Sequence, residues 1–224
     1  MNNKTTHITR ELQITADGSH TLFVPEMDEH YHSVNGAVQE SMHVFIEAGL
    51  HQLDKKHIRV FEIGFGTGLN AFLTLQDTLK NSAVKIDYYT VEQFPLDTET
   101  IKQLNFGTAH QALFEKLHNV PWNSLQSITD RFSLFKIAGD SNTCILPDEI
   151  DLVYFDAFAP DKQPEMWNQE IFNKLFRGMN ANGILTTYCA KGVVRRMMKE
   201  AGYTVERIPG PPGKREMLRA RKIL

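Results

Sequence analysis

The segment VFEIGFGTGLN, residues 60–70, constrains this chain more than any other: an apolar run ends at Glu62, three glycines alternate, and a helix opens near Leu69. Gly64, Gly66 and Gly68 let the backbone turn sharply and leave no Cβ between the peptide and a ligand. A nucleoside triphosphate is disfavoured, because the loop lacks the Lys-Ser/Thr pair that grips phosphate and magnesium in a P-loop. It carries an acid instead, which suits a positively charged ligand such as the ammonium and sulfonium of S-adenosylmethionine. The spacing Gly66-x-Gly68-x-x-Ala71 also satisfies the loose dinucleotide fingerprint. On the loop alone, a nicotinamide or flavin ligand stays open, and so does a bare strand-to-helix turn.

The rest of the chain narrows these options. Apolar periodicity predicts strands at 58–63, 84–91, 132–138, 150–155 and 183–189 with helical segments between them, the alternation of a parallel sheet covered on both faces. The end breaks this rhythm. YTVERI (203–208) and EMLRARK (216–222) are joined only by PGPPGKR, too short for a helical crossover, so they pair as an antiparallel hairpin. Such a seven-stranded sheet, parallel except for its last strand, is the methyltransferase variant of the doubly wound fold and argues against a dinucleotide enzyme. Before it, ELQIT and HTLFV flank Asp17-Gly18 as a β-hairpin, and residues 34–53 carry apolar positions at helical spacing. Residues 1–56 therefore read as an N-terminal extension, and 57–224 as the main domain.

At 224 residues the chain suffices for one α/β domain. No run is long enough to span a bilayer, and the polar start lacks the apolar core of a signal peptide, which predicts a cytoplasmic protein without a membrane partner. Cys144 and Cys189 form no CxxC pair and read as reduced thiols. No metal site is expected; His30 and His32 could share a metal on an extended strand, but nothing else supports one.

In an open α/β sheet, ligands bind beyond the carboxyl ends of the strands. Those ends carry Glu62, Glu92, Asp140 and Asp156 in order. A carboxylate at the second end can accept from both ribose hydroxyls, and one at the third from an exocyclic adenine amine. The fourth end, DAFAPDKQPEMWN (156–168), sets Asp156 beside Phe158 and Pro160, a stiff aromatic rim. An amine attacks carbon only as its free base, so an acceptor there would orient the lone pair and take up the proton released as the C–N bond forms. Each acid taken singly could instead cap a helix.

Charge is uneven. Residues 1–190 hold 14 Lys+Arg against 24 Asp+Glu, whereas residues 191–224 hold 10 against 3. In KGVVRRMMKEAG, Val193, Val194, Met197, Met198 and Ala201 share one helical face, and Arg195, Arg196 and Lys199 the other. With Lys214, Arg215, Arg219, Arg221 and Lys222 beyond, this end could follow a phosphate backbone or could be solvated surface.

EIGFGTGLN, YTVEQFPL (89–96), DAFAPDKQPEMW, GILTTYCAKGVVRR (183–196) and GPPGKREML (210–218) together resemble the methyltransferase module of the MnmC family and, more closely, its stand-alone form MnmD. The ADGS hairpin and residues 31–50 extend the resemblance over nearly the whole chain. It implies a Rossmann-like class I fold that uses S-adenosylmethionine to methylate the amine of 5-aminomethyl-(2-thio)uridine at the tRNA wobble position. Glu62, Gly64, Gly66, Gly68, Asn70, Glu92 and Asp140 would then hold the cofactor, with Asp156 nearest the amine. Tyr31 and Phe158 would flank a base flipped out of the anticodon stem-loop. Bifunctional members carry a flavin-dependent oxidase after this module. This chain stops at Leu224, which implies no flavin domain and a substrate that already bears a bare aminomethyl group. An aminopropyltransferase of the spermidine synthase type and a non-catalytic S-adenosylmethionine-binding protein are the alternatives.

Overall fold

The computed structural model describes residues 8–223 and opens on the expected hairpin. β1 (Glu11–Ile14) and β2 (His20–Val24) pair antiparallel, and Gly18 takes φ +81° in the turn, a conformation that favours glycine. Asp17 ties this turn to the first helix. Its carboxylate accepts from Thr15 Oγ1 at 2.7 Å, from the Ser19 amide at 3.0 Å and from the Gln39 amide at 3.0 Å. Burial alone would raise this carboxyl, but the hydrogen bonds from Ser19, Gln39 and Thr15 outweigh it and hold the group at about 2. Gln39 lies in the first turn of α1 (Ala37–Ser41), which the hairpin therefore anchors; β3 (Glu29–His30) pairs with β2 on the way.

The helix expected over 34–53 is broken into three kinds of turn. After α1 comes a π-helical stretch, Met42–Glu47, and then a 3-10 turn, Leu50–Gln52. The wider stretch closes with the Ala48 amide on the His43 carbonyl at 3.1 Å, and it places Val44, Phe45 and Ile46 all in the core.

From β4 (His57–Ile63) the chain alternates as expected: α2 (Leu69–Lys80), β5 (Lys85–Glu92), α3 (Thr98–Gln103) and α4 (Gln111–Asn119). Then come β6 (Leu125–Thr129), β7 (Phe132–Ala138), β8 (Ile150–Phe155), α5 (Gln169–Gly178), β9 (Met179–Thr187), α6 (Gly192–Glu200), β10 (Thr204–Pro209) and β11 (Glu216–Arg221). The sheet order is β10-β11-β9-β8-β4-β5-β7-β6. Strands β7, β5, β4, β8 and β9 run parallel, and β11 pairs antiparallel with β9 and with β10.

Among the described residues the sheet therefore has eight strands, not the expected seven. The addition is β6, an antiparallel edge strand that turns straight into β7. Only Ile128 of its five residues is buried, so its sequence shows almost no alternation to read. Hydrophobic layers cover both faces. α2, α4 and the N-terminal segment pack on one, around Tyr88 and Tyr154; α5 and α6 pack on the other, around Phe155 and Phe172. On α6 the buried stripe is Val194 and Met198, with Met197 and Ala201 half-buried at its edge, whereas Val193 faces solvent.

Candidate active site

A cavity of about 500 Å³ opens at the carboxyl ends of the parallel strands, where an open α/β sheet binds its ligands. The glycine loop forms its floor. Gly64, Gly66 and Gly68 have φ of +88°, +49° and +72°. Neighbouring protein also demands glycine here: a Cβ on Gly64 would fall 2.8 Å from the Asp156 carbonyl oxygen, and one on Gly68 2.8 Å from His118 Nε2. Glu92, the last residue of β5, holds the loop in place. One of its oxygens accepts from the Gly66 amide at 3.0 Å and the other from the Phe94 amide at 2.8 Å, which leaves acceptor capacity toward the cavity.

Asp156 follows β8 directly and lines the same cavity. Asn70, in the first turn of α2, donates through Nδ2 to Asp156 Oδ2 at 2.7 Å. Burial raises the Asp156 carboxyl to about 7, against the Asn70 hydrogen bond, with Glu40 adding to the rise and Lys214 opposing it. The group is thus far more basic than an ordinary carboxylate. Tyr31 and Phe158 meet edge to face with ring centres 5.1 Å apart, and Arg10 Nε donates to the Tyr31 hydroxyl at 3.0 Å.

Several predicted residues lie elsewhere. Glu62 is wholly buried and off the cavity wall, and among the described residues neither of its oxygens has a hydrogen-bond partner. It sits within β4, in register with Thr90 and Tyr154, so its side chain enters the core beneath α2 instead of the rim. Burial raises its pKa well above the ordinary carboxylate value, with Asp156 adding to the rise and Thr90, Asn70 and Tyr88 pulling against it. Asp140 also misses the wall, which Gly139 and Ser141 form; its Oδ1 accepts from the amide and side chain of Asn142 at 2.8 and 3.1 Å. Gly68 and Pro160 lie just behind the lining, and Arg195, Arg196, Lys199 and Arg215 lie outside it, whereas Lys214 is part of it.

Sequence reading missed Glu40, Tyr188 and the role of His32. Tyr188 directly follows β9, so the same strand-end rule that found Asp156 could have found it. Nothing local marks Glu40. His32 bonds through Nε2 with Thr67 Oγ1 at 2.6 Å, and burial lowers it to about 4, so it pins the glycine loop as a neutral ring. His30 contacts Gln13 instead, and no cluster of three potential metal ligands exists among the described residues.

Strand order, glycine loop and strand-end cavity together define a Rossmann-like class I methyltransferase. A sequence profile for S-adenosyl-L-methionine-dependent methyltransferases matches residues 99–223, and the chain belongs to that family. The tRNA 5-methylaminomethyl-2-thiouridine biosynthesis bifunctional protein MnmC of Ralstonia nicotianae is 30% identical over 220 residues, covering 92% of this chain. The protein of the same name from Magnetococcus marinus is 29% identical over 225 residues, covering 94%. This chain spans only 33% of the length of each. A crystal structure of MNMC2 from Aquifex aeolicus matches with a TM-score of 0.83 at 26% identity, over 96% of this chain and 71% of that one. The cavity fits the family's cofactor: a floor without side chains at Gly64 and Gly66 admits it, and Glu92 offers free acceptor capacity.

Glu62→Gln is expected to leave S-adenosylmethionine affinity within about twofold by calorimetric titration, because Glu62 is wholly buried and does not line the cavity. Loss of a direct charge-assisted contact would instead weaken binding by ~10–100-fold and would contradict the buried assignment.

Proposed function

We propose that this chain transfers a methyl group from S-adenosylmethionine to the amine of 5-aminomethyl-(2-thio)uridine at the tRNA wobble position, giving the 5-methylaminomethyl form. The observation that carries this reading is Asp156, a carboxylate on the cavity wall whose Oδ2 is held by Asn70 and whose basicity is raised by burial. The cofactor supplies a methyl group made electrophilic by its sulfonium. Glu92 and the glycine loop hold it, with Gly139 and Ser141 as the wall expected beside an adenine. Asp156 keeps Oδ1 for the substrate nitrogen, orients its lone pair and accepts its proton as the C–N bond forms. Tyr31 and Phe158, in edge-to-face contact with each other, offer an aromatic surface for the extruded base, and the turn that contains Pro160 stiffens that rim, where the Lys162 amide donates to the Ala159 carbonyl at 2.8 Å.

The names of the MnmC relatives support this choice of substrate over other amines. A small diamine, as in an aminopropyltransferase, would need no basic flank, and a non-catalytic binder would need no raised carboxylate at the rim. Incubation with S-adenosylmethionine and tRNA from cells lacking this last modification tests the reading, since nucleoside mass spectrometry should show one methyl gained on the wobble uridine. No gain would reject it.

Asp156→Ala is expected to retain cofactor binding and lower turnover by ~10²–10⁴-fold; unchanged turnover would remove Asp156 from the chemistry. The base acts ionised, so wild-type kcat/KM should fall as pH drops below about 7, the raised value for Asp156. Asp156→Asn should remove that contribution and leave only the shallower acid limb set by protonation of the substrate amine itself.

Arg196, Lys199 and Arg215 are exposed and Arg195 half-buried, outside the cavity, and they serve in this reading as phosphate contacts. Neutralising Arg195, Arg196 and Lys199 together should weaken tRNA binding and flatten the plot of log K against log salt by roughly 0.7–0.9 per lost phosphate contact. An unaltered slope would assign them to solvent.

A further inference from the structure

The basic tail predicts Lys214 on a face that follows phosphates, yet the structure puts it inside the cavity. Its Nζ donates to Glu40 Oε1 at 2.7 Å and lies 4.0 Å from the centre of the Tyr188 ring. Glu40 is buried, and its other oxygen accepts from the Ser33 amide at 2.8 Å, so the carboxylate is fixed at both ends. The Tyr188 hydroxyl donates to the carbonyl of Ala157, next to Asp156, at 2.8 Å. The loop bearing Lys214 is itself anchored, since His43 Nε2 bonds with the Pro209 carbonyl at 2.9 Å. An ammonium has three donors. Among the described residues only Glu40 takes one as a hydrogen bond, so donor capacity remains on the cavity wall.

We propose that Lys214 reads the base, donating a hydrogen bond to the carbonyl at C4 of the pyrimidine whose 5-aminomethyl nitrogen meets Asp156. This rests on the function proposed above. The substituents at C4 and C5 are neighbours on the ring, so their receptor must set a donor for the carbonyl beside an acceptor for the amine. Lys214 and Asp156 are such a pair, joined through Tyr188 and Ala157 on one wall. Cytosine presents an amino donor at C4, which an ammonium rejects, so the same contact discriminates uracil from cytosine. Glu40 keeps the lysine aimed, and the N-terminal segment thereby takes part in substrate choice.

The test uses synthetic anticodon stem-loops carrying 5-aminomethyluridine or 5-aminomethylcytidine, with radiolabelled methyl transfer as readout. Wild type is compared with the double variant Lys214→Met, Glu40→Gln, which leaves no buried charge unpaired; its melting temperature and cofactor affinity report folding. Wild type should prefer uridine. In the double variant the uridine-to-cytidine ratio of kcat/KM should fall by ~10–100-fold, mainly through slower reaction of the uridine substrate. A lower melting temperature with an unchanged ratio would make Lys214 a structural ion pair and overturn the inference. Equal wild-type activity on both stem-loops would overturn it alone, whereas no methylation of either would bring down the functional reading and the inference with it.

Discussion

The site depends on how closely β4 and β8 bring Gly64 against Asp156. The two strands are parallel neighbours in register up to Ile63 and Phe155, and the Asp156 amide donates to the Ile63 carbonyl at 3.2 Å. Beyond that point no side chain fits on Gly64, because the Asp156 carbonyl occupies its space. One backbone contact therefore sets the glycine floor and the basic carboxylate side by side in a single cavity. Asn70 adds the second link, from the helix that the glycine loop starts to the Asp156 carboxylate.

Two segments outside the central sheet complete the walls. The N-terminal segment contributes Tyr31, His32 and Glu40, and the β10–β11 loop contributes Lys214. They meet in the Lys214–Glu40 ion pair and the His43–Pro209 hydrogen bond. Such a pair, with Glu40 buried and Lys214 part-exposed, adds little net stability, because desolvation of the carboxylate and solvent screening offset the attraction. Its effect is to fix where an ammonium stands relative to Asp156. Hydrophobic packing of Leu22, Val44, Phe45 and Ile46 into the core of the main sheet holds the N-terminal segment in place.

Much of this was legible in the sequence where periodicity was strong. The parallel strands, the closing hairpin, the glycine loop and Asp156 all follow from apolar runs and from the residues just past them. What failed did so for identifiable reasons. Strand β6 buries one side chain and leaves almost no pattern. Glu62 reads like a strand-end acid, but it stands two residues before the first glycine, still inside the ladder, where alternation points it into the core. Glu92 and Asp156, at and just beyond their strand ends, do reach the cavity. Glu40 and Lys214 are 174 residues apart, and no local rule brings them together.

The most direct measurement of the central claim is a crystal structure with S-adenosylhomocysteine bound. The account expects the ligand's amino-acid portion on the Gly64–Gly68 turn, its ribose at Glu92 and its sulfur facing Asp156 across open space. A ligand lodged away from the glycine floor, or an Asp156 side chain turned into the core when the ligand is bound, would contradict it.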